Sequence, residues 1–374
     1  MPNKKILLIS PQAWGKMFVA KHHYAVELAR SGNEVYFLNP PESRGKQFVE
    51  IENSTQYPGL NVVQHGPFFP LALRFRFRVL YDALMKAYVR WLLKKLNQQF
   101  DIVWCFEPNL YSNLDWFNAK KKVYHPVDEL FYEYQFRPGR NADIVVSVTR
   151  EILAKFPKVN GKKLFVNHGI SREFVTAATN SHWMKQSPVT IGYSGNLLRN
   201  DIDFETLKKC IRQFPHARFI FWGNYKLNQS NLAGNENADI NSFIEFLEKA
   251  SNVELKGAVP MNELVKEYGK ADIFLICYDI QKDQSHGTNY HKVMEFLSTG
   301  KVIVSNNITT YQDSKLLRMC RSRTSNEEFV ALLADTISNC ELYNTEELQR
   351  ARKEFAAANA YQFHILEIEE QIKD

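Results

Sequence analysis

The chain has 374 residues, enough for two domains with cores of their own, and its 45% apolar and 24% charged composition is that of an ordinary globular protein. With 26 Phe, 17 Tyr and 6 Trp it excludes a disordered chain, and no run approaches the roughly 20 apolar residues that a spanning helix needs. Net charge is +6, unevenly spread: residues 1–180 carry 25 Lys and Arg against 15 Asp and Glu, the rest 22 against 26, so the first half suits an anionic partner. Five scattered cysteines without a CxxC pair argue for core thiols in a reducing compartment and against a zinc site. Lys4-Lys5 is followed by only five apolar or small residues before Pro11, too few for a secretory signal. The expectation is a cytoplasmic protein, or one lying on the inner face of the cytoplasmic membrane.

Residues 5–10 (KILLIS) predict a buried strand, 11–19 a loop holding Trp14 and Gly15, 22–30 a helix stopped at Gly32, and 34–38 a strand. This is the repeating unit of a parallel sheet, without the GxGxxG of a dinucleotide fingerprint. Residues 42–70 read as irregular apart from a strand at 62–65. Over 71–99, Arg74, Arg76, Arg78, Lys86, Arg90, Lys94 and Lys95 interleave with Phe75, Phe77, Leu80, Leu84, Tyr88, Trp91 and Leu92. An alternating basic and aromatic stretch thus leads into a basic amphipathic helix. It suits an anionic membrane surface or, equally, the core face of a domain helix with snorkelling edges. Nucleic acid is not expected as a partner.

Further strands are predicted at 102–106, 122–125, 144–148 and 164–166, and Thr149 is placed to cap a helix over 150–156. The polar stretch 179–187 reads as a linker, dividing the chain into domains 1–180 and 188–345 and a helical tail 346–374. In the second domain, strands at 190–194, 217–222, 253–256 and 273–278 alternate with helices at 204–213, 241–249 and 261–268. The fold class is therefore α/β, with two parallel sheets.

The most informative stretch is 285–304. Ser285 to Asn289 is a polar loop in which Gly287 permits close backbone approach. A helix over 290–298 follows, stopped at Gly300, and then a strand at 302–304. Lys292 and Glu295 are neighbours on the helix surface. A helix start, a mobile ammonium and a carboxylate able to accept from a diol fit a diphosphate attached to a ribose; two charges one turn into a helix are also an ordinary solvated pair.

The run N-Y-H-K-V-M-E-F-L-S-T-G-K-V-I-V, residues 289–304, resembles the donor-site signature of glycosyltransferase family 4 (group 1) enzymes of the GT-B fold, closest to the bacterial surface-polysaccharide branch with K-x-x-E-Y-L-A-x-G-K-P-V-V. The opening helix ending L-A-R-S-G-N-E-V and the turn Asn167-His168-Gly169-Ile170 are similar to the family's first unit and its domain-closing turn. The resemblance implies two Rossmann-like domains facing each other across a cleft, with the carboxy-terminal tail crossing back onto the first. It implies retaining transfer of a sugar from a nucleotide diphosphate (UDP or GDP type) to a hydroxyl of a polysaccharide or lipid-linked glycan. Neither a cofactor nor a required metal ion is expected. Glu295 matches the glutamate that binds the donor ribose, while the family's second glutamate falls on Gly287.

In open parallel sheets ligands bind beyond the carboxyl ends of the strands. Donor candidates on those loops are Gly195, Asn196, Arg199, Trp222, Val259, Tyr278, His286, Gly287, Thr288, Asn289, Lys292 and Glu295, with Trp222 and Val259-Pro260 as walls for the base. Asp201-Ile202-Asp203 has the letters of a DxD metal motif, but Asp203 stands where it would cap the next helix. In the first domain Trp14, Gly15, His22 and Glu107 are acceptor candidates. His125 and Asp128 are the catalytic ones, in a segment similar to the family's histidine or aspartate beside the transferred sugar. Rival readings are a nucleotide-sugar 2-epimerase, a non-catalytic nucleotide-binding protein on the same fold, and a structural membrane-attached protein.

Overall fold

The computed structural model describes residues 3–373 apart from 16–17, 44, 157–158, 180–182, 227–236, 283–284 and 286. The chain divides into two compact units, Met1–Asn167 with Tyr361–Asp374, and His168–Ala360.

The first unit is built on eight strands: β1 (Lys5–Ile9), β2 (Glu34–Leu38), β3 (Phe48–Asn53), β4 (Leu60–Gly66), β5 (Ile102–Cys105), β6 (Lys121–Tyr124), β7 (Ile144–Ser147) and β8 (Lys162–Phe165). Their order across the sheet is β3, β4, β2, β1, β5, β6, β7, β8. Every pairing is parallel except β3 with β4. β3 was not expected; its sequence FVEIEN alternates charge with apolar residues and stays largely exposed, as an edge strand can.

Alternation along each strand fills both faces. Leu7, Ile9, Tyr36 and Val103 pack with Tyr81, Met85, Tyr88 and Leu92 of the helix Arg78–Leu96. Ile6, Leu8, Val35 and Trp104 pack with Tyr24, Ala25 and Leu28 of the helix Ala20–Arg30 and with Tyr361, Ile365 and Ile368 of the last helix, Tyr361–Ile372. The basic amphipathic helix is Arg78–Leu96, and the alternating stretch before it holds a short helix of its own, Leu73–Arg76, with the break at Phe77.

The second unit holds β9 (Thr190–Ser194), β10 (Arg218–Trp222), β11 (Val253–Gly257), β12 (Ile273–Ile276), β13 (Val302–Ser305) and β14 (Arg318–Met319), in the order β11, β10, β9, β12, β13, β14. All pairings are parallel. The helix Arg172–Thr179 belongs here, because Phe174 is buried with Leu264, Tyr268 and Phe296. Of the carboxy-terminal tail, the helix Glu346–Ala358 also belongs here. Buried Arg352 fixes it by donating to the carbonyls of Leu316 (3.0 Å), Gly300 (3.0 Å) and Tyr343 (2.9 Å).

All five cysteines are free and buried. Among the described residues no helix is long and apolar enough to cross a membrane.

Candidate functional site

In the second unit the sheet starts at β9 and extends to β10 and β11 on one side and to β12, β13 and β14 on the other. Loops leaving β9 and β12 therefore part company at their carboxyl ends, which is where parallel sheets open a crevice.

The short helix Lys292–Ser298 follows β12 and buries Val293, Met294, Phe296 and Leu297, leaving Lys292 and Glu295 on its other side. It starts two residues later than predicted. Lys292 Nζ lies 2.7 Å from Glu295 Oε2, with both side chains only 15–17% exposed. The same oxygen accepts a 3.0 Å hydrogen bond from the Tyr268 hydroxyl. Among the described residues, Glu295 Oε1 takes no hydrogen bond.

Tyr268 was not foreseen. It is wholly buried, edge-on to Trp222, Phe274 and Phe296. Burial, with the Glu295 charge behind it, pushes its hydroxyl well above the ordinary range, so it acts as a neutral donor. Beneath it, buried Lys301 donates to the carbonyls of Tyr268 and Gly269, both at 2.8 Å, and burial pushes its own ammonium down to about 8. An aromatic in the Y-G-K-A sequence before β12 gave no polar signal; only packing turns its hydroxyl towards Glu295.

The loop after β9 is more fully engaged than the sequence suggests. The Gly195 N–H donates to Trp222 O (2.9 Å), Leu197 N–H to Asn224 O (2.8 Å) and Leu198 N–H to Asn196 Oδ1 (3.1 Å). These amides are therefore not a ready cradle for a diphosphate. The tight spot is Gly223, at φ +142°, where an added Cβ would lie 1.8 Å from Gly195 O. Arg199 Nε donates to Asp201 Oδ1 at 2.8 Å, its NH2 meets the other oxygen, and its guanidinium lies 5.5 Å above the Tyr278 ring. Tyr278 in turn packs on Tyr290 at 4.4 Å. Asp203 caps the helix Phe204–Gln213 as expected, accepting from Thr206 N–H at 3.0 Å.

Several donor candidates are buried or engaged in hydrogen bonds within the unit. Trp222 is 1% exposed, beside Tyr268 in the core, and donates to Glu267 Oε2 at 3.2 Å. Thr288 is buried and clamped to the next turn, exchanging hydrogen bonds of 2.8 and 3.0 Å with Thr309. The Asn289 carbonyl is met by His168 Nε2 at 3.1 Å. Gly287 is buried, Val259 is partly buried against the core, and His286 lies outside the described residues.

The first unit has the same kind of opening, between β1 and β5. Both histidine candidates of this unit, His22 and His125, are buried. His22 is fully buried and structural: Nδ1 accepts from Val19 N–H (3.1 Å), while Nε2 donates to Ala13 O (3.0 Å). Burial pushes it down to about 4. His125, 1% exposed, sits inside an aromatic cluster, stacked on Phe106 at 4.6 Å and taking Trp104 Nε1–H at 3.3 Å. Trp14 is half-buried against Phe18 and Phe37 with Gly15 beside it, and Asp128 is exposed.

Glu107 is buried after β5, accepts from Asn109 N–H, and is pushed upward by burial. A residue the sequence did not single out joins it. Lys21, 3% exposed, makes no hydrogen bond or ion pair among the described residues. Burial lowers its ammonium, opposed by the charges of Asp128 and Glu107. Tyr24, one turn along, touches Phe106 and His125, so Lys21 projects onto the carboxyl ends of β5 and β6. Lys21, Glu107 and Asp128 thus form a polar group at this opening.

No protein-family model matches the sequence, and no curated protein matches it. Solved structures do resemble the whole chain. A sucrose-phosphate synthase from Thermosynechococcus elongatus superposes with a TM-score of 0.70 at 12% identity, covering 99% of both chains. A glycosyltransferase from Rickettsia africae ESF-5 gives 0.68 at 15% identity, over 100% of this chain and 99% of that one. Anabaena Alr3699/HepE, in complex with UDP and glucose, gives 0.64 at 14% identity, over 99% and 100%. Likeness at this identity shows the fold, two Rossmann-like units of the GT-B type.

Proposed function

We propose that the chain is a glycosyltransferase that binds a nucleotide-diphosphate sugar in its second unit and moves the sugar to an acceptor hydroxyl. The observation that carries this reading is Glu295: a carboxylate held by Lys292 and Tyr268 through Oε2, with Oε1 left to accept from a ribose diol. Lys292, one turn before it, is the cation for the diphosphate, and Arg199 with Tyr278 borders the same opening. UDP is the first donor to test, since one similar structure holds UDP and glucose.

The finer reading is membership of the family 4 surface-polysaccharide branch, with retention of configuration. A polysaccharide or lipid-linked glycan is the acceptor, taken by the basic first unit at an anionic membrane surface, and Lys21, Glu107 and Asp128 are its contacts. We further propose that no divalent ion is needed. Asp203 is spent on a helix cap and Asp201 on Arg199, so the DxD-like pair is not free for a metal. Full turnover in EDTA checks this.

The deciding experiment is calorimetric titration with UDP, GDP, CDP and dTDP, followed by nucleotide release from the matching sugars with and without acceptor glycans. Binding of one nucleotide that is lost in Glu295→Ala, with acceptor-dependent release, supports the proposal. Product without any acceptor would point to the epimerase, and absence of nucleotide binding sinks the site.

A further inference from the structure

Buried polar groups in a folded chain nearly always have partners, so an unpartnered one calls for a reason. At the carboxyl end of β5, three donors of that kind surround one carboxyl group. Tyr81, in the helix Arg78–Leu96, is 0% exposed, and its hydroxyl makes no hydrogen bond among the described residues. Arg74, in the short helix Leu73–Arg76, has its Nε shut away from solvent without a hydrogen bond. Its guanidinium lies 4.6 Å above the Phe75 ring and makes no ion pair among the described residues. Lys21, 3% exposed, is the third.

Glu107 is the group they share. Burial pushes its carboxyl up, opposed by the Asn109 N–H and by the charge of Arg74. Tyr81 packs on the face of the sheet that carries Leu7 and Val103, and the helix of Lys21 on the face that carries Leu8 and Trp104. Glu107, next beyond the end of β5, is felt from both: its charge acts on Lys21, and on Tyr81 beside those of Arg74 and Arg78. Arg78 is fully engaged, donating to Asn109 O (3.2 Å) and the Ser112 hydroxyl (2.6 Å) and pairing with Asp82 (3.1 Å), which fastens the loop after Glu107 onto the helix. Arg74, four residues earlier, has none of these bonds. Two cations and a phenol thus face one carboxyl that burial drives toward its neutral form. The other acidic group near Lys21, Asp128, is exposed, so water screens it. Poorly paired cations of this kind cost stability unless they meet an anion. A guanidinium fork, an ammonium and a hydroxyl are a donor set for tetrahedral phosphate.

We infer that Arg74, Lys21 and the Tyr81 hydroxyl form an oxyanion subsite beside Glu107 that takes a phosphoryl group carried by the acceptor. Its assignment to the acceptor rests on the proposed transfer reaction; the binding itself rests on the first unit alone.

The test is calorimetric titration of the full chain, without nucleotide, with inorganic phosphate, glucose 6-phosphate, citronellyl diphosphate and glucose, and separately with UDP. Saturable binding of the phosphates and not of glucose is expected. Tightest binding of glucose 6-phosphate identifies a sugar phosphate as the source of the phosphoryl group, and tightest binding of citronellyl diphosphate a lipid-linked one; either supports the subsite. Arg74→Gln should weaken that binding about tenfold or more, with partial rescue in Arg74→Lys, and Tyr81→Phe about two- to tenfold. Both should keep UDP affinity and the wild-type melting curve, since neither group is bonded in the free chain; a merely structural role would move the melt and not the phosphate affinity. Absence of UDP binding with phosphate binding intact would sink the nucleotide reading and still support this subsite. No saturable phosphate binding, weak phosphate binding that neither organic phosphate improves, undiminished binding in both Arg74→Gln and Tyr81→Phe, or binding that UDP displaces and Lys292→Ala abolishes would each overturn the inference.

Discussion

Replacing Glu295 by alanine separates its two roles. In the free protein it accepts from Tyr268, whose ring is wholly buried, and from Lys292. Loss of the acceptor strands the Tyr268 hydroxyl at about 1–3 kcal/mol. The largely shielded ion pair adds about 1 kcal/mol. Against a typical stability of about 5–15 kcal/mol the variant stays folded, with melting lowered by about 2–4 °C per kcal/mol. Nucleotide affinity should suffer more. A ribose hydroxyl donating to the carboxylate loses about 1.5–3 kcal/mol for the bond, so Kd rises about tenfold to about 150-fold. Tyr268→Phe keeps the carboxylate but frees its orientation, and should weaken binding by less. The assay is calorimetry with UDP at a temperature well below the variant's melting point, beside a melting curve of the free protein. A Kd within threefold of wild type for Glu295→Ala, in a folded sample, refutes the assignment of this carboxylate to the nucleotide.

Lys21→Met removes a buried ammonium that makes no ion pair among the described residues, so the melting temperature should hold or rise, while transfer to acceptor falls and UDP affinity holds. A stabilised variant with full activity would make Lys21 a bystander. Burial holds His22 and His65 down at about 4, so the unfolded chain takes up protons near 6.5 that the native chain refuses. Their contribution is complete above pH 6.5 and fades as pH falls to about 4, roughly 3 kcal/mol for each. Denaturant titrations across that range should show the loss, and His65→Phe should flatten the slope. Gly223→Ala meets both a positive φ and Gly195 O at 1.8 Å; a loss of about 3 kcal/mol or more is expected, seen as poor soluble yield or an early melt, and a normal melt would contradict the packing described.

Much of the architecture was legible because buried parallel strands advertise themselves. KILLI, IVWC, IFLI and VIVS are short apolar runs set off by turns, and they alternate with helical patterns. Helix ends were legible for the same local reason, with Asp203 at a cap and Gly300 at φ +77° after the helix Lys292–Ser298. The edge strand β3 was hidden, since an exposed strand has no apolar signature to show.

Residue identity fixed which groups stand near the strand ends; it did not decide which of them face a ligand. Alternation within β10 sends Ile220 and Trp222 to one face and Phe219 and Phe221 to the other, burying the tryptophan beside Tyr268. Packing likewise withdrew His22 and His125 into hydrogen bonds and aromatic stacks, and set Lys21 in their place near Glu107. Local pattern is written in a few neighbouring residues, so the sequence alone yields the two sheets and the Lys292–Glu295 pair. The direction of a side chain depends on neighbours a hundred residues away, and only the folded chain assembles those.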